Sequence, residues 1–225
     1  MQLQVDSSSV IVFDLDDTLY KEVDFVASAY REIARLIAPS TASHLFQEMW
    51  ECFLHKRDTF AWLVERFAPN YTIPELVEIY RFHTPRLELP QESLDLLTQL
   101  KSHSVKLGVI TDGRERTQMN KLRALGIADM FDKIVISEAF GSEKPCEANY
   151  RAVQSAYPGA NFLVYIADNP RKDFVAPNKL GWTTIGVKDD GRNIHTQNIE
   201  VPIQHLPHHM IGVLSDISVV VRTGF

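Results

Sequence analysis

Val10-Ile11-Val12-Phe13-Asp14-Leu15-Asp16-Asp17-Thr18 runs from an apolar tetrad into three carboxylates within four positions. The run 10–13 is short, β-branched and aromatic, the composition of a buried strand. A strand buried on both faces belongs in a parallel sheet. Open parallel sheets hold their ligands beyond the carboxyl ends of the strands, which is where Asp14 and Asp16 fall. The two-residue period of extended chain turns both acids to one side and Leu15 to the other. Carboxylates gathered so closely repel unless something positive lies between them. The stretch is therefore expected to form a hard-cation site with a reactive carboxylate, suited to phosphate chemistry.

The remaining composition narrows the setting. A chain of 225 residues buries a substantial core, as one large domain or as a core with an insert. Hydrophobic content of 45% and charged content of 23% are those of a globular protein. A net charge of -6 gives no support for a nucleic-acid or membrane-surface partner. No apolar run reaches the roughly 20 residues that span a bilayer, and Met1-Gln2-Leu3-Gln4 lacks the pattern of a signal peptide. Cys52 and Cys146 have no metal-ligand spacing; they read as thiols of a reducing compartment, with a cytoplasmic location expected.

After the opening strand the period changes. Residues 22–83 read as successive helices, with Val23, Val26, Tyr30, Ile33 and Ile37 at helical spacing and Pro39, Pro69 and Pro74 as punctuation. Sixty residues of helix exceed a single crossover, so a small helical domain over 21–87 is expected inside a core formed by 1–20 and 88–225. From Gln91 helix and strand alternate. Strands are expected at 105–111, 134–136, 162–166 and 183–187, and helices at 93–100, 115–125, 147–156 and 174–180. This alternation implies a doubly wound parallel sheet, an α/β fold. Residues 192–225 are less regular; an edge strand near 199–203 and a helix over 210–215 are expected there.

Three strands end in polar residues on the ligand side: Asp14 and Asp16, then Thr111 and Asp112 with Gly113, then Asp168 with Asp173 five residues on. Lys144 opens the helix before the last of these strands. Mg²⁺ takes oxygen ligands in near-octahedral geometry, commonly one or two carboxylates with phosphate oxygens and water. Asp14 and Asp168 suit that role, with Asp173 in support. A carboxylate can attack phosphorus to form an aspartyl-phosphate, and a second carboxyl, Asp16, can protonate the leaving oxygen and then activate water. Thr111 and Lys144 can bind the equatorial phosphoryl oxygens. Taken singly the bland readings are ordinary: Asp112-Gly113 as a turn, Asp173 as a helix-terminus acid, Lys144 before proline as a solvated lysine. Their occurrence together, in order, is what points to a site.

The set resembles the haloacid dehalogenase superfamily in its Mg²⁺-dependent phosphatase branch. Residues 10–18, 107–113, 137–145 and 165–173 are similar to its four motifs in order, and the likeness extends over residues 8–190. The resemblance implies a Rossmann-like core with Asp14 as nucleophile and Asp16 as general acid and base. It implies Mg²⁺ held by Asp14, Asp168 and the backbone carbonyl of Asp16, and phosphate bound by Thr111, Asp112, Gly113 and Lys144. It also implies that the helical insert is a cap closing over the site. Ala167 departs from the glycine common at that position.

Members of the superfamily that remove halide lack an acid two residues after the nucleophile, so Asp16 favours phosphate-ester hydrolysis. A phosphomutase would use the same intermediate but return the phosphoryl group to another hydroxyl. A receiver-type phospho-acceptor module also combines acids, a hydroxyl and a lysine, but its phosphorylated Asp lies on a later strand. The expected partner is a small phosphate ester, a nucleoside monophosphate or a sugar phosphate by family analogy. Tyr20, Lys21, Lys56 and Arg57 are candidates for choosing the leaving group, and Arg114, Arg116 and Arg171 for reading a second anionic group. Trp50 and Trp62 read as helix packing.

Overall fold

The computed structural model describes residues 1–222. By internal contacts the chain forms two compact units, residues 1–22 with 88–225 and residues 23–87.

The first unit is built on a six-stranded sheet in which every neighbouring pair is parallel. In chain order its strands are β2 (Ser9–Phe13), β3 (Lys106–Thr111), β4 (Lys133–Ile136), β5 (Phe162–Ala167), β6 (Thr183–Val187) and β7 (His209–Ile211). They lie in the order β4-β3-β2-β5-β6-β7. The chain therefore proceeds from β2 in one direction and returns to its other side with β5. That reversal makes the β2–β5 boundary a topological switch point, where such sheets open a crevice. All five residues of β2 are buried, as its unbroken apolar run requires. Phe13 pairs with Val109 on one side and Ile166 on the other. The residues just beyond, Asp14, Thr111 and Asp168, are thus brought together by register. The helices α5 (Gln91–Ser102), α6 (Glu115–Ala124), α7 (Ser137–Phe140), α8 (Glu147–Ala156) and α9 (Val175–Lys179) connect the strands.

One layer of the core lies directly under the site. Tyr150 meets Tyr165 and Trp182 edge-to-face, with ring centroids 5.1 and 5.8 Å apart, within a cluster that includes Val12, Ile110 and Phe174. Aromatic pairs in this geometry add to the burial term.

The carboxyl-terminal expectations fail in detail. No strand occupies 199–203, and 210–215 holds the end of a strand and the start of a short helical turn rather than a longer helix. The edge strand is β7, displaced to His209–Ile211, and a short turn of helix at Leu214–Asp216 precedes β8 (Ser218–Val221). Pro202 interrupts the first run, and Gly212 breaks the second. Gly186 carried a signal for the true position of the edge. A Cβ there would lie 2.4 Å from Met210 Sδ and 2.7 Å from Pro207 Cγ, so this strand must be bare where β7 approaches. A further parallel pair, β1 (Gln2–Val5) with β8, was not expected. Leu3 and Val5 point inward from β1 while their neighbours are exposed.

The second unit carries most of α1 (Glu22–Ile37) and all of α2 (Ala42–Leu54), α3 (Thr59–Arg66) and α4 (Ile73–Phe82). Asp58 caps α3, and Thr72 with Glu75 forms a reciprocal capping box on α4. Phe25, Tyr30, Phe60 and Tyr80 interlock largely edge-on. Trp50 packs on Phe46 and Phe53, and Trp62 on Phe67, as expected of packing residues. No helix among the described residues is long and apolar enough to cross a membrane.

Candidate active site

A cavity of about 150 Å³ opens at the carboxyl ends of β2, β3 and β5. Asp14, Asp16, Asp17, Thr111, Asp112 and Asp168 line it together with Glu22, Asn169, Lys172 and His195. Asp14, Thr111 and Asp168 stand at or just past the ends of β2, β3 and β5, where strand register places them.

Asp14 and Asp173 are held by one lysine. Lys144 Nζ lies 2.8 Å from a carboxylate oxygen of each, with its side chain fully buried. Tyr165 Oη adds a contact to Lys144 at 3.3 Å. Burial pushes the Lys144 ammonium down, but the two carboxylates outweigh it and leave its pKa well above the usual lysine range. Burial pushes Asp14 up to about 6, against the opposing charge of Lys144. Lys144 does not line the cavity; Lys172 does, with its Nζ 3.1 Å from Asp112. Lys144 thus bears directly on the Asp14 carboxylate.

Asp16 has a separate set of partners. Tyr20 Oη donates to its Oδ1 at 2.5 Å and Lys121 Nζ at 2.7 Å, while Gln118 Nε2 donates to its Oδ2 at 2.8 Å. The same Gln118 nitrogen donates to Thr111 Oγ1 at 2.5 Å, so one amide ties the acid after β2 to the hydroxyl at the end of β3. Burial raises the Asp16 carboxyl, but Lys121 and these hydrogen bonds overcome that and hold it below the ordinary range. Glu22, 3.6 Å from Lys121, is raised to about 7 by burial and by Asp16.

Asp168 accepts a hydrogen bond from Asn193 Nδ2 at 2.9 Å. Burial, Asp173 and Asp14 push its carboxyl up to about 9. Asp14, Asp168 and Asp173 each offer an oxygen within 4.8 Å of the others. Asp173 is already engaged by Lys144 on Oδ1 and by the Asn169 N–H on Oδ2. Asp14 and Asp168 each keep one oxygen without a protein donor among the described residues, and both line the cavity. An all-oxygen donor set carrying more negative charge than its neighbours neutralise suits a hard divalent cation.

Asp112 lines the cavity, and the Gly113 N–H is turned to Ser137, donating to its Oγ at 2.9 Å. The φ of +137° at Gly113 explains the residue: the turn needs backbone that side chains disfavour. The Asp112 carboxylate accepts from Lys144 N and Lys172 Nζ, so it organises both lysines. Arg114 is committed to Glu138 at 2.8 Å. Asp17 accepts from the N–H of Glu22, the first residue of α1, at 2.9 Å and of Ile194 at 3.2 Å.

Comparisons with known proteins place the family of the chain. The family model for haloacid dehalogenase-like hydrolases matches residues 11–187. A glyceraldehyde 3-phosphate phosphatase of Methanocaldococcus jannaschii is 28% identical over 190 residues, covering 79% of this chain and 83% of the relative. A pyrimidine 5'-nucleotidase of Escherichia coli is 29% identical over 94 residues, 41% of each chain. The HAD-hydrolase YfnB from Bacillus subtilis, solved bound to magnesium, superposes with a TM-score of 0.63 at 21% identity, covering 92% of this chain and 96% of that one. The chain belongs to the haloacid dehalogenase-like hydrolase family.

Proposed function

We propose that this protein is a Mg²⁺-dependent phosphoric monoester hydrolase that works through an aspartyl-phosphate on Asp14. The observation that carries the reading is that two carboxylates two residues apart face one cavity with different partners. Asp14 is gripped on one oxygen by Lys144 and keeps the other open, as a nucleophile requires. Asp16 is fixed by Tyr20, Gln118 and Lys121 at the same cavity, where it can serve the leaving oxygen and then the attacking water.

Asp14 and Asp168 are the residues that would hold Mg²⁺, with Asp173 locking Lys144 beside them. The bound ion would neutralise charge between the anionic ester and the anionic carboxylate. Lys144 keeps Asp14 oriented in a water-poor pocket. Thr111 Oγ1 and Lys172 Nζ stand at the cavity wall as donors for phosphoryl oxygens, whose charge the transition state spreads over three atoms. Residues 23–87 are assigned the role of the cap that selects the leaving group.

The substrate is a small phosphorylated metabolite, as are those named for the relatives, with a triose phosphate the first to test. Release of inorganic phosphate from glyceraldehyde 3-phosphate, a nucleoside monophosphate and an aryl phosphate tests the reading. Mg²⁺-dependent release that disappears in Asp14→Asn is expected; release unaffected by that substitution contradicts it, and transfer to another hydroxyl without free phosphate indicates a mutase.

A further inference from the structure

Beyond β6 the chain folds back as a loop over residues 188–197, outside all four motif stretches, and places His195 in the cavity wall. Asp189 Oδ1 accepts the N–H groups of Gly191 and Asn193, which sets the turn. The loop is then tied down at three places. The Ile194 N–H donates to Asp17 Oδ2 at 3.2 Å. Gln197 Nε2 donates to the backbone carbonyls of Asp168 at 2.6 Å and Val187 at 2.8 Å. Asn193 Nδ2 donates to Asp168 Oδ2 at 2.9 Å.

We propose that Asn193 is a positioning residue for the Asp168 carboxylate and, through it, sets how tightly the site holds its divalent cation. The proposal rests on Asp168 being a metal ligand, as inferred above. The orientation of the Asn193 amide is forced by its neighbours. Lys21 Nζ lies 2.8 Å from Asn193 Oδ1, and an ammonium can only donate. The amide oxygen must therefore face Lys21 and the nitrogen must face Asp168. Lys21 is itself anchored by Asp190 at 3.0 Å. The chain Asp190–Lys21–Asn193–Asp168 fixes one oxygen of Asp168 from outside, while Gln197 fixes its backbone. The second oxygen is left to the cavity. Partners behind a metal ligand that orient it in this way typically contribute 10–100-fold in affinity or activity.

The test is Mg²⁺ binding, read by isothermal titration calorimetry on the full-length protein stripped of metal. Asn193→Ala is expected to raise the Mg²⁺ dissociation constant by about tenfold or more. Activity at saturating Mg²⁺ is expected to recover, with KM for the phosphate ester unchanged. A dissociation constant equal to that of the parent overturns the proposal. Lys21→Met leaves the amide in place but removes what orients it, and is expected to weaken Mg²⁺ in the same direction. If Asn193→Ala does not fold, an unchanged constant in Lys21→Met overturns the proposal in its place. Asp168→Asn separates the two levels. Loss of Mg²⁺ binding there, with parent-like binding in Asn193→Ala, defeats the role of Asn193 alone. Parent-like binding in Asp168→Asn defeats the metal-site reading beneath it.

Discussion

Lys121 Nζ lies 2.7 Å from Asp16 Oδ1, across 105 positions of sequence. The contact joins α6 to the loop after β2, so the residue proposed as acid and base is aimed by a helix from elsewhere in the chain. Gln118, one turn earlier on that helix, holds the other oxygen of Asp16 and the hydroxyl of Thr111. Lys121→Met is therefore expected to lower kcat by about tenfold or more, within the range of general acid-base contributions. KM is expected to change little, because the lysine reaches Asp16 rather than the ester. Steady-state kinetics on an aryl phosphate checks the split; a rise in KM with unchanged kcat would place Lys121 in substrate binding instead.

Lys144→Ala leaves the Asp14 and Asp173 carboxylates buried without their cation. Removing one partner of a buried pair costs about 3–5 kcal/mol, and for a chain of this size each kcal/mol is worth about 2–4 °C in Tm. A fall of roughly 6–20 °C is expected in a thermal melt without metal. Adding Asp14→Asn should recover part of it by relieving the unpaired charge.

Glu22 contributes one separable part of the pH dependence of stability, beside Asp14 and Asp168. Its carboxyl titrates at about 7 in the folded protein, above its usual value of 4.5. The folded state therefore holds this proton more tightly than the unfolded state, and stability is lost as pH rises from 4.5 through 7. Glu22→Gln should remove that loss. The variant is expected to match the parent below pH 4.5 and to melt higher than the parent above pH 7. Denaturation followed across that window checks the sign.

Mg²⁺ should stabilise the folded chain by mass action. At a hundred times its dissociation constant a ligand contributes about 2.7 kcal/mol, a rise of roughly 5–11 °C in Tm for a chain of this size. The rise is expected to vanish on adding a chelator and to be absent in Asp168→Asn.

The parts of this site that could be read from sequence are those that recur along a strand and its exit. Asp14, Asp16, Thr111, Asp112 and Asp168 follow apolar runs, with Asp173 five residues after the last, and the parallel order of the sheet brings them together. Gln118 and Lys121 were not read, because polar residues on a helix ordinarily face water. A signal was present: with Leu122 and Leu125 they form a stripe at helical spacing, and all four are buried. Lys172 was masked by its neighbour Arg171, the exposed one of the two. Asn193 and Gln197 lie in a loop without periodicity, and their contacts with Asp168 depend on a turn closed by Asp189. The pairing of β1 with β8 joins Gln2 to Ser218, a register that no local pattern encodes.

The central claim is that Asp14 is phosphorylated during turnover, and the direct measurement is to trap that species. Asp16→Asn retains the nucleophile but lacks the group proposed to activate water, so the covalent intermediate should persist. The variant would be mixed with Mg²⁺ and a phosphate ester, quenched in acid, digested and examined by mass spectrometry. One phosphoryl group on the peptide containing Asp14, absent when Asp14→Asn is added to the same variant, is the predicted result. Ester consumed with release of phosphate and no modified peptide, at a rate equal to that of the parent, would contradict the account.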